Sequence, residues 1–289
     1  MPYCTKCGAE LPENARYCPN CGTPTSGAET KPVTEHHQLK VTGKPKIIII
    51  HRAPGRIDIK NEAKNEVVVD LDIREPEDMT WSVTQEGDTI TIKARALVHP
   101  FRWIRYFSSG GPKADVTISA PAEADLDVSS HLAELVLAGI KGTTSIDSSV
   151  GRIDLEKMEG SIRITGRTGP ITLKNVNGSV TVDSTTGPVK LEEVNAVTSI
   201  HNTTGSVTFS GTISSGENRF RTTTGSIDIT LQNQSDVAVE AYSRIGKVTA
   251  TPELEDARFE HGQYTGRVKK GSGRLIIETT TGSITIHHG

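Results

Sequence analysis

"DSTTGPVKLEEVNAVTSIHNTTG", residues 183 to 205, says nearly the same thing twice. Gly187 and Gly205 each follow two threonines, and each opens a run of alternating apolar residues. The count extends upstream, where Gly142, Gly151, Gly160, Gly169, Gly178, Gly187, Ala196 and Gly205 stand nine residues apart. Aliphatic residues follow two and four places after most of them: Ile153/Leu155, Ile162/Ile164, Ile171/Leu173, Val180/Val182 and Val189/Leu191. The nines alternate in kind. Met158, Val176 and Val194 stand seven after one class of glycine, and Thr185 and Thr203 seven after the other class of corner. The period is therefore eighteen. Beyond Gly205 the steps loosen to 20, 21, 20 and 16 at Gly225, Gly246, Gly266 and Gly282.

A fixed period near twenty, with short strands in each unit, is the signature of a solenoid. One coil cannot bury its inward residues alone. Coils stacked about 4.8 Å apart pair their backbones and lay aliphatic on aliphatic down the interior. Glycine then marks the corner, where a positive φ or a close neighbouring backbone excludes a Cβ. The threonines before it are expected to stack as a ladder, with hydroxyls bonding along the column. The fold expected is all-β: a single-stranded parallel β-helix of about 18–21 residues per coil. A six-residue period, the mark of a three-sided left-handed helix, is not present. Neither is the Gly-Gly-x-Gly-x-Asp pattern of calcium-binding β-rolls.

Composition agrees with strands and turns: 4% aromatic residues, 27 glycines and abundant Thr, Ser, Val and Ile. A net charge of -3 gives no general attraction to nucleic acid or anionic lipid. The longest apolar run, Ile47 to Ile50, is strand-sized and far short of the ~20 residues that span a bilayer. No secretory signal pattern opens the chain, and all four cysteines fall within the first 21 residues. A reducing, cytoplasmic location is expected.

Those cysteines lie in "CTKCGAELPENARYCPNCG", as the pairs Cys4/Cys7 and Cys18/Cys21 separated by ten residues. A tight Cys-x-x-Cys-Gly turn brings two thiolates to one edge of a metal, and Gly8 and Gly22 permit its backbone geometry. Four thiolates suit one tetrahedral Zn²⁺ and leave no open position for a substrate water, so the zinc is expected to be structural. A piece this short has almost no core, so metal binding and folding should be one event. The stretch resembles the short N-terminal zinc ribbons of bacterial and archaeal multidomain proteins, and that resemblance implies a docking module. Some such ribbons bind nucleic acid, but Lys6 and Arg16 are balanced here by Glu10 and Glu13.

Residues 24 to 46 carry three prolines, two glycines and few large apolar side chains, and read as a flexible linker. His36 and His37 fall in it and read as solvated rather than as metal ligands. The solenoid is expected over 47–289, with irregular strands and an aromatic loop over 47–125 and regular repeats over 126–289. Two blocks carry a family likeness: "ADVTISAPAEADLDVSS", and the recurring "NTTGSVTF", "TTTGSIDI" and "TTTGSITI". On these, residues 47 to 289 resemble bacterial β-strand-repeat domains of unknown function classed as candidate adhesins. The resemblance implies a parallel single-stranded β-helix and no defined activity.

Nothing catalytic converges. There is no Gly-x-Ser-x-Gly, phosphate-binding loop or His-Glu-x-x-His. Outward columns such as Asp154, Thr172, Lys190, Thr208, Asp228 and Thr285 mix single charges with threonines. His131, His201 and His261 read as outward imidazoles. One segment departs from the repeat logic: "HPFRWIRYFSSGG" places Phe101, Arg102, Trp103, Arg105, Tyr106 and Phe107 together. It reads either as a cover over the solenoid or as a contact for a protein partner or membrane surface. The function expected is a non-enzymatic scaffold, docking an unidentified protein through the ribbon or the aromatic loop. Because "GSITIHH" is still in strand pattern, self-association through the solenoid ends is also expected. The alternative is a carbohydrate-binding or carbohydrate-cleaving β-helix.

Overall fold

Period-two alternation becomes strands whose inward side chains are buried and whose outward ones meet solvent. The computed structural model describes residues 3–4, 6–12, 18–22, 31–97, 111–213, 215–260 and 262–288. Among them no α-helix occurs, and the strands join one mixed sheet wound into a solenoid-like stack. A single apolar core runs through it from Val41 to Ile286.

The stack begins with β1 (Val33–Lys40), β2 (Lys46–Asn61), β3 (Glu66–Arg74), β4 (Met79–Glu86), β5 (Thr89–Ala96) and β6 (Lys113–Ala120). The first half of β2 pairs in parallel with β5 and its second half with β6. Then β4 joins β5, β3 joins β6 and β1 joins β3, all antiparallel. In this stretch, where irregular strands were expected within a parallel β-helix, the parallel winding gives way to two antiparallel flaps. For β4 and β5 the reason is the short turn Glu86 to Asp88, which returns the chain beside itself, whereas β3 and β6, and β1 and β3, pair across longer connections. Residues 33–40, expected within a flexible linker, form edge strand β1. Its VTEHHQLK alternates half-buried and exposed positions along β3. Trp81 on β4 donates through Nε1 to Glu35 Oε1 on β1 at 2.8 Å, joining the two flaps across the end of the core.

Next come β7 (Asp125–Ala138), β8 (Lys141–Val150), β9 (Ile153–Thr168), β10 (Ile171–Thr186) and β11 (Val189–Thr204). One edge of β7 pairs with β2 and the other with β8 and β9. From β8 on, the parallel register follows the eighteen-residue count: Gly142 pairs with Gly160, Gly160 with Gly178, and Gly178 with Ala196. Inside, Ile153, Ile171, Val189 and Val207 form one column and Leu155, Leu173, Leu191 and Phe209 another, all buried. Each such side chain contributes about 1.5–3 kcal/mol on burial. The corner also behaves as expected: a Cβ on Gly169 would lie 2.0 Å from the Gly151 carbonyl oxygen, and φ there is 138°. A second corner was not visible in the count. Lys157, Asn175 and Glu193 stack with φ of 54°, 54° and 55°, bending the chain between Leu155 and Met158 and their equivalents.

The remaining strands are β12 (Val207–Thr212), β13 (Glu217–Thr224), β14 (Ile227–Leu231), β15 (Val237–Ile245), β16 (Val248–Thr251), β17 (Glu255–Glu260), β18 (Gln263–Val268), β19 (Gly273–Thr281) and β20 (Ile284–His288). Here spatial order leaves sequence order. β19 lies between β13 and β15, and β20 between β14 and β16, all parallel. The coil made of β15 and β16 is therefore separated from its predecessor by a coil that comes later in the chain. β18 and then β17 add antiparallel to the far edge of β15. "GSITIHH", expected at an open end, is thus interior to the stack. Gly266, counted as a corner, sits in β18, where a Cβ would meet that of Leu254 at 2.6 Å.

Candidate functional site: a four-cysteine centre and a polar corner

Each Cys-x-x-Cys-Gly turn closes on its own backbone. Gly8 N donates to the Cys4 carbonyl and Gly22 N to the Cys18 carbonyl, both at 2.9 Å. Cys4 N donates to the Ala9 carbonyl at 2.8 Å, and Tyr3 bridges Glu10. Leu11 packs with Cys4 and Cys18 as a very small core of its own. The turns bring Cys4 Sγ to 3.5 Å from Cys21 Sγ, and Cys7 Sγ to 3.5 Å from Cys18 Sγ. All four sulfurs lie within 4.8 Å of one another. A disulfide needs about 2.05 Å, so the spacing is that of ligands around a common centre.

The electrostatics agree. Amides of Cys7 and Lys6 bond the Cys4 sulfur and hold its pKa below the ordinary thiol value. At Cys7 the Ala9 amide pulls the same way, but the neighbouring sulfurs of Cys21 and Cys18 oppose it, and the thiol is pushed up to about 11. Four thiolates this close repel one another, and a divalent cation among them removes the conflict. Asn20 Nδ2 also approaches Cys7 Sγ, at 3.8 Å.

Of the other residues singled out in the sequence, the described ones do not join this centre. Phe101, Arg102, Trp103, Arg105, Tyr106 and Phe107 lie outside the described residues, as does His261. On β1, His36 Nδ1 meets Asp70 Oδ1 at 2.7 Å while His37 Nε2 donates to Glu35 Oε2 at 3.0 Å, so the two imidazoles do not converge. His37, then Trp81, hold the Glu35 carboxyl below its usual range. His131 and His201 are exposed on the outer face.

At the glycine corner the expected threonine ladder stacks in register: Thr168, Thr186, Thr204, Thr224 and Thr281 are successive neighbours, all exposed. The hydrogen bonds come from elsewhere. Several are made by the third residue before a corner glycine, whereas at Ser148 and Ser184 the buried hydroxyl in that place has no hydrogen-bond partner among the described residues. Asn202 Nδ2 donates to the Gly187 and Gly205 carbonyls, each at 3.1 Å. Thr222 donates to Gly205 at 3.2 Å and Ser243 to Gly282 at 2.8 Å. The signal was present in the sequence, since Ser148, Ser184, Asn202, Thr222, Ser243 and Thr279 are all small and polar at that place.

These features define an all-β, solenoid-like body carrying a four-cysteine ribbon. Residues 47–287 match the family model described as Toastrack DUF4097, and residues 3–25 match a zinc-ribbon domain. The chain belongs to the Toastrack family. No curated protein matches it. Among solved structures, it is similar to a candidate cell adhesion protein from Clostridium sporogenes at 11% identity and a TM-score of 0.35, covering 90% of this chain and 100% of that one. It is also similar to a candidate adhesin from Bacteroides fragilis at 14% identity and 0.36, covering 89% and 97%.

Proposed function

We propose that the protein is a non-enzymatic scaffold of the cytoplasm. A ribbon stapled by one structural Zn²⁺ docks a protein partner, and the coils from β7 to β11 serve as a rigid single-stranded parallel β-helix. The observation that carries this reading is the convergence of the Cys4, Cys7, Cys18 and Cys21 sulfurs. Four thiolates fill a tetrahedral zinc and leave no position for a substrate. A thiolate centre also favours a reducing compartment. Zinc would supply the ribbon's folding energy, which Leu11 and two cysteines cannot. The experiment has two readouts. Metal analysis is expected to give one zinc per chain, lost to a chelator without lowering the unfolding temperature of residues 47–287. A pull-down is expected to recover a partner with the full chain and lose it on deletion of residues 3–25. Zinc well below one per chain, or unchanged capture after deletion, rejects the reading.

A further inference from the structure

Near the first flap the outer face carries positive charge that no carboxylate among the described residues answers. Arg52 on β2 pairs with Arg95 on β5, which pairs in turn with Thr80 on β4. Two residues away, Lys93 lies between Ile50 and Ser82. Two arginines thus stand one strand spacing apart, about 4.8 Å, with a lysine beside them. All three are exposed. Ile50, Arg52, Thr80, Ser82, Lys93 and Arg95 line a shallow depression of about 370 Å³.

Several cations elsewhere on the stack are met by acids from a neighbouring strand. Arg56 reaches Glu134 at 3.3 Å, Lys141 reaches Glu159 at 2.9 Å and Arg274 reaches Glu240 at 3.0 Å. In the depression the strand neighbours are Thr80, Ser82, Ile50 and the other arginine, so among the described residues these cations make no ion pair. Like charges opposite one another in a sheet oppose folding. An arrangement that retains them, with two hydroxyls added, is suited to an anion from outside. Guanidinium forks match oxyanions with two parallel hydrogen bonds, lysine adds a point charge, and Thr80 and Ser82 add hydroxyl donors. The set outnumbers the two oxygens of a carboxylate and fits a tetrahedral group.

We propose that this depression binds a phosphoryl group, with Arg52 and Arg95 as its principal contacts. Ile50 gives an apolar rim for the rest of the ligand. The overall charge of -3 means that the attraction is local.

The test uses the full, zinc-loaded chain at low salt. Calorimetric titration with inorganic phosphate and pyrophosphate forms one arm, and acetate is the control anion. The other arm is co-sedimentation with phosphatidylcholine vesicles with or without phosphatidylglycerol. Saturable binding in the soluble arm identifies a free phosphate, and binding in the vesicle arm alone identifies a lipid headgroup. In whichever arm binds, Arg95→Gln and, separately, Lys93→Gln are expected to weaken binding, Arg95→Gln by about tenfold. Arg163→Gln, elsewhere on the surface, should leave it unchanged. No saturable binding in either arm, equal binding of acetate, or equal loss with Arg163→Gln overturns the proposal.

Discussion

Thr279 donates its hydroxyl to the Gly225 carbonyl at 3.1 Å, although 54 residues separate them along the chain. The bond fixes β19 directly on β13, where Thr222 pairs with Thr279 and Thr224 with Thr281. Thr279 is buried, and its replacement by valine keeps the shape while leaving a corner carbonyl without that donor. Thr279→Val is expected to cost about 1–3 kcal/mol, read from the midpoint of denaturant unfolding. Thr281→Val, at an exposed position of the same strand, should stay within about 0.5 kcal/mol.

Corner glycines are expected to differ sharply from turn glycines. A Cβ on Gly187 would stand 2.1 Å from the Gly169 carbonyl oxygen, whereas one on Gly87 meets nothing within 4 Å. Both have positive φ, 137° and 59°. Gly87→Ala should therefore cost only the left-handed backbone, about 1–2 kcal/mol, while Gly187→Ala must also push two coils apart. A loss of about 4 kcal/mol or more is expected there. Equal losses in paired denaturation curves would refute the close approach.

The second corner offers the opposite result. Glu193 takes φ 55° at an exposed bend, and its stack neighbour one coil earlier is Asn175 at 54°. Asparagine tolerates that region better than glutamate does. Glu193→Asn should raise stability by about 0.5–1 kcal/mol, measurable as a higher unfolding midpoint.

His51 gives a pH dependence. It is fully buried, and its Nε2 donates to the Ala114 carbonyl at 2.9 Å. Burial lowers its pKa below the ordinary 6.5, against smaller opposing effects from the Ala114 bond and Asp115. Between 6.5 and the lowered folded value, the unfolded chain binds more protons than the folded one. Stability from this group is therefore complete above 6.5 and declines as pH falls through that window. In His51→Gln, whose amide also carries a donor, the slope of unfolding free energy against pH should flatten there. An unchanged slope would assign the acid sensitivity to other groups.

The central architecture was legible because one constraint repeats. Ile171, Val189 and Val207 recur at the period of a coil, and Gly169 and Gly187 recur where two backbones nearly touch. The bend at Lys157, Asn175 and Glu193 left no mark because three unlike residues occupy it. Strand β1 was hidden in a stretch poor in large apolar residues, since backbone bonding to β3, more than side-chain burial, holds it. The place of β19 and β20 was written in the sequence but not in the spacing. "TTTGSIDI" and "TTTGSITI" are nearly the same and are stack neighbours, although "SRIGKVTA" comes between them in the chain. Metal-ligand spacing made the four cysteines plain. The depression around Arg52 and Arg95 was not, because it joins strands that pair only after folding.

The position of β19 also sets the order in which the body can be assembled. During synthesis β15 and β16 emerge before the strands that must lie beneath them, so this half of the stack cannot grow by simple accretion from one end. Until β19 and β20 are made, β15 and β16 lack the strands with which they pair in parallel. Closure comes when β19 and β20 enter between these strands and β13 and β14, joining partners 57 residues apart such as Ile227 and Ile284. That closure carries the entropy cost of a long loop, as does the pairing of Lys46 with Asp125, 79 residues apart, at the other end of the stack.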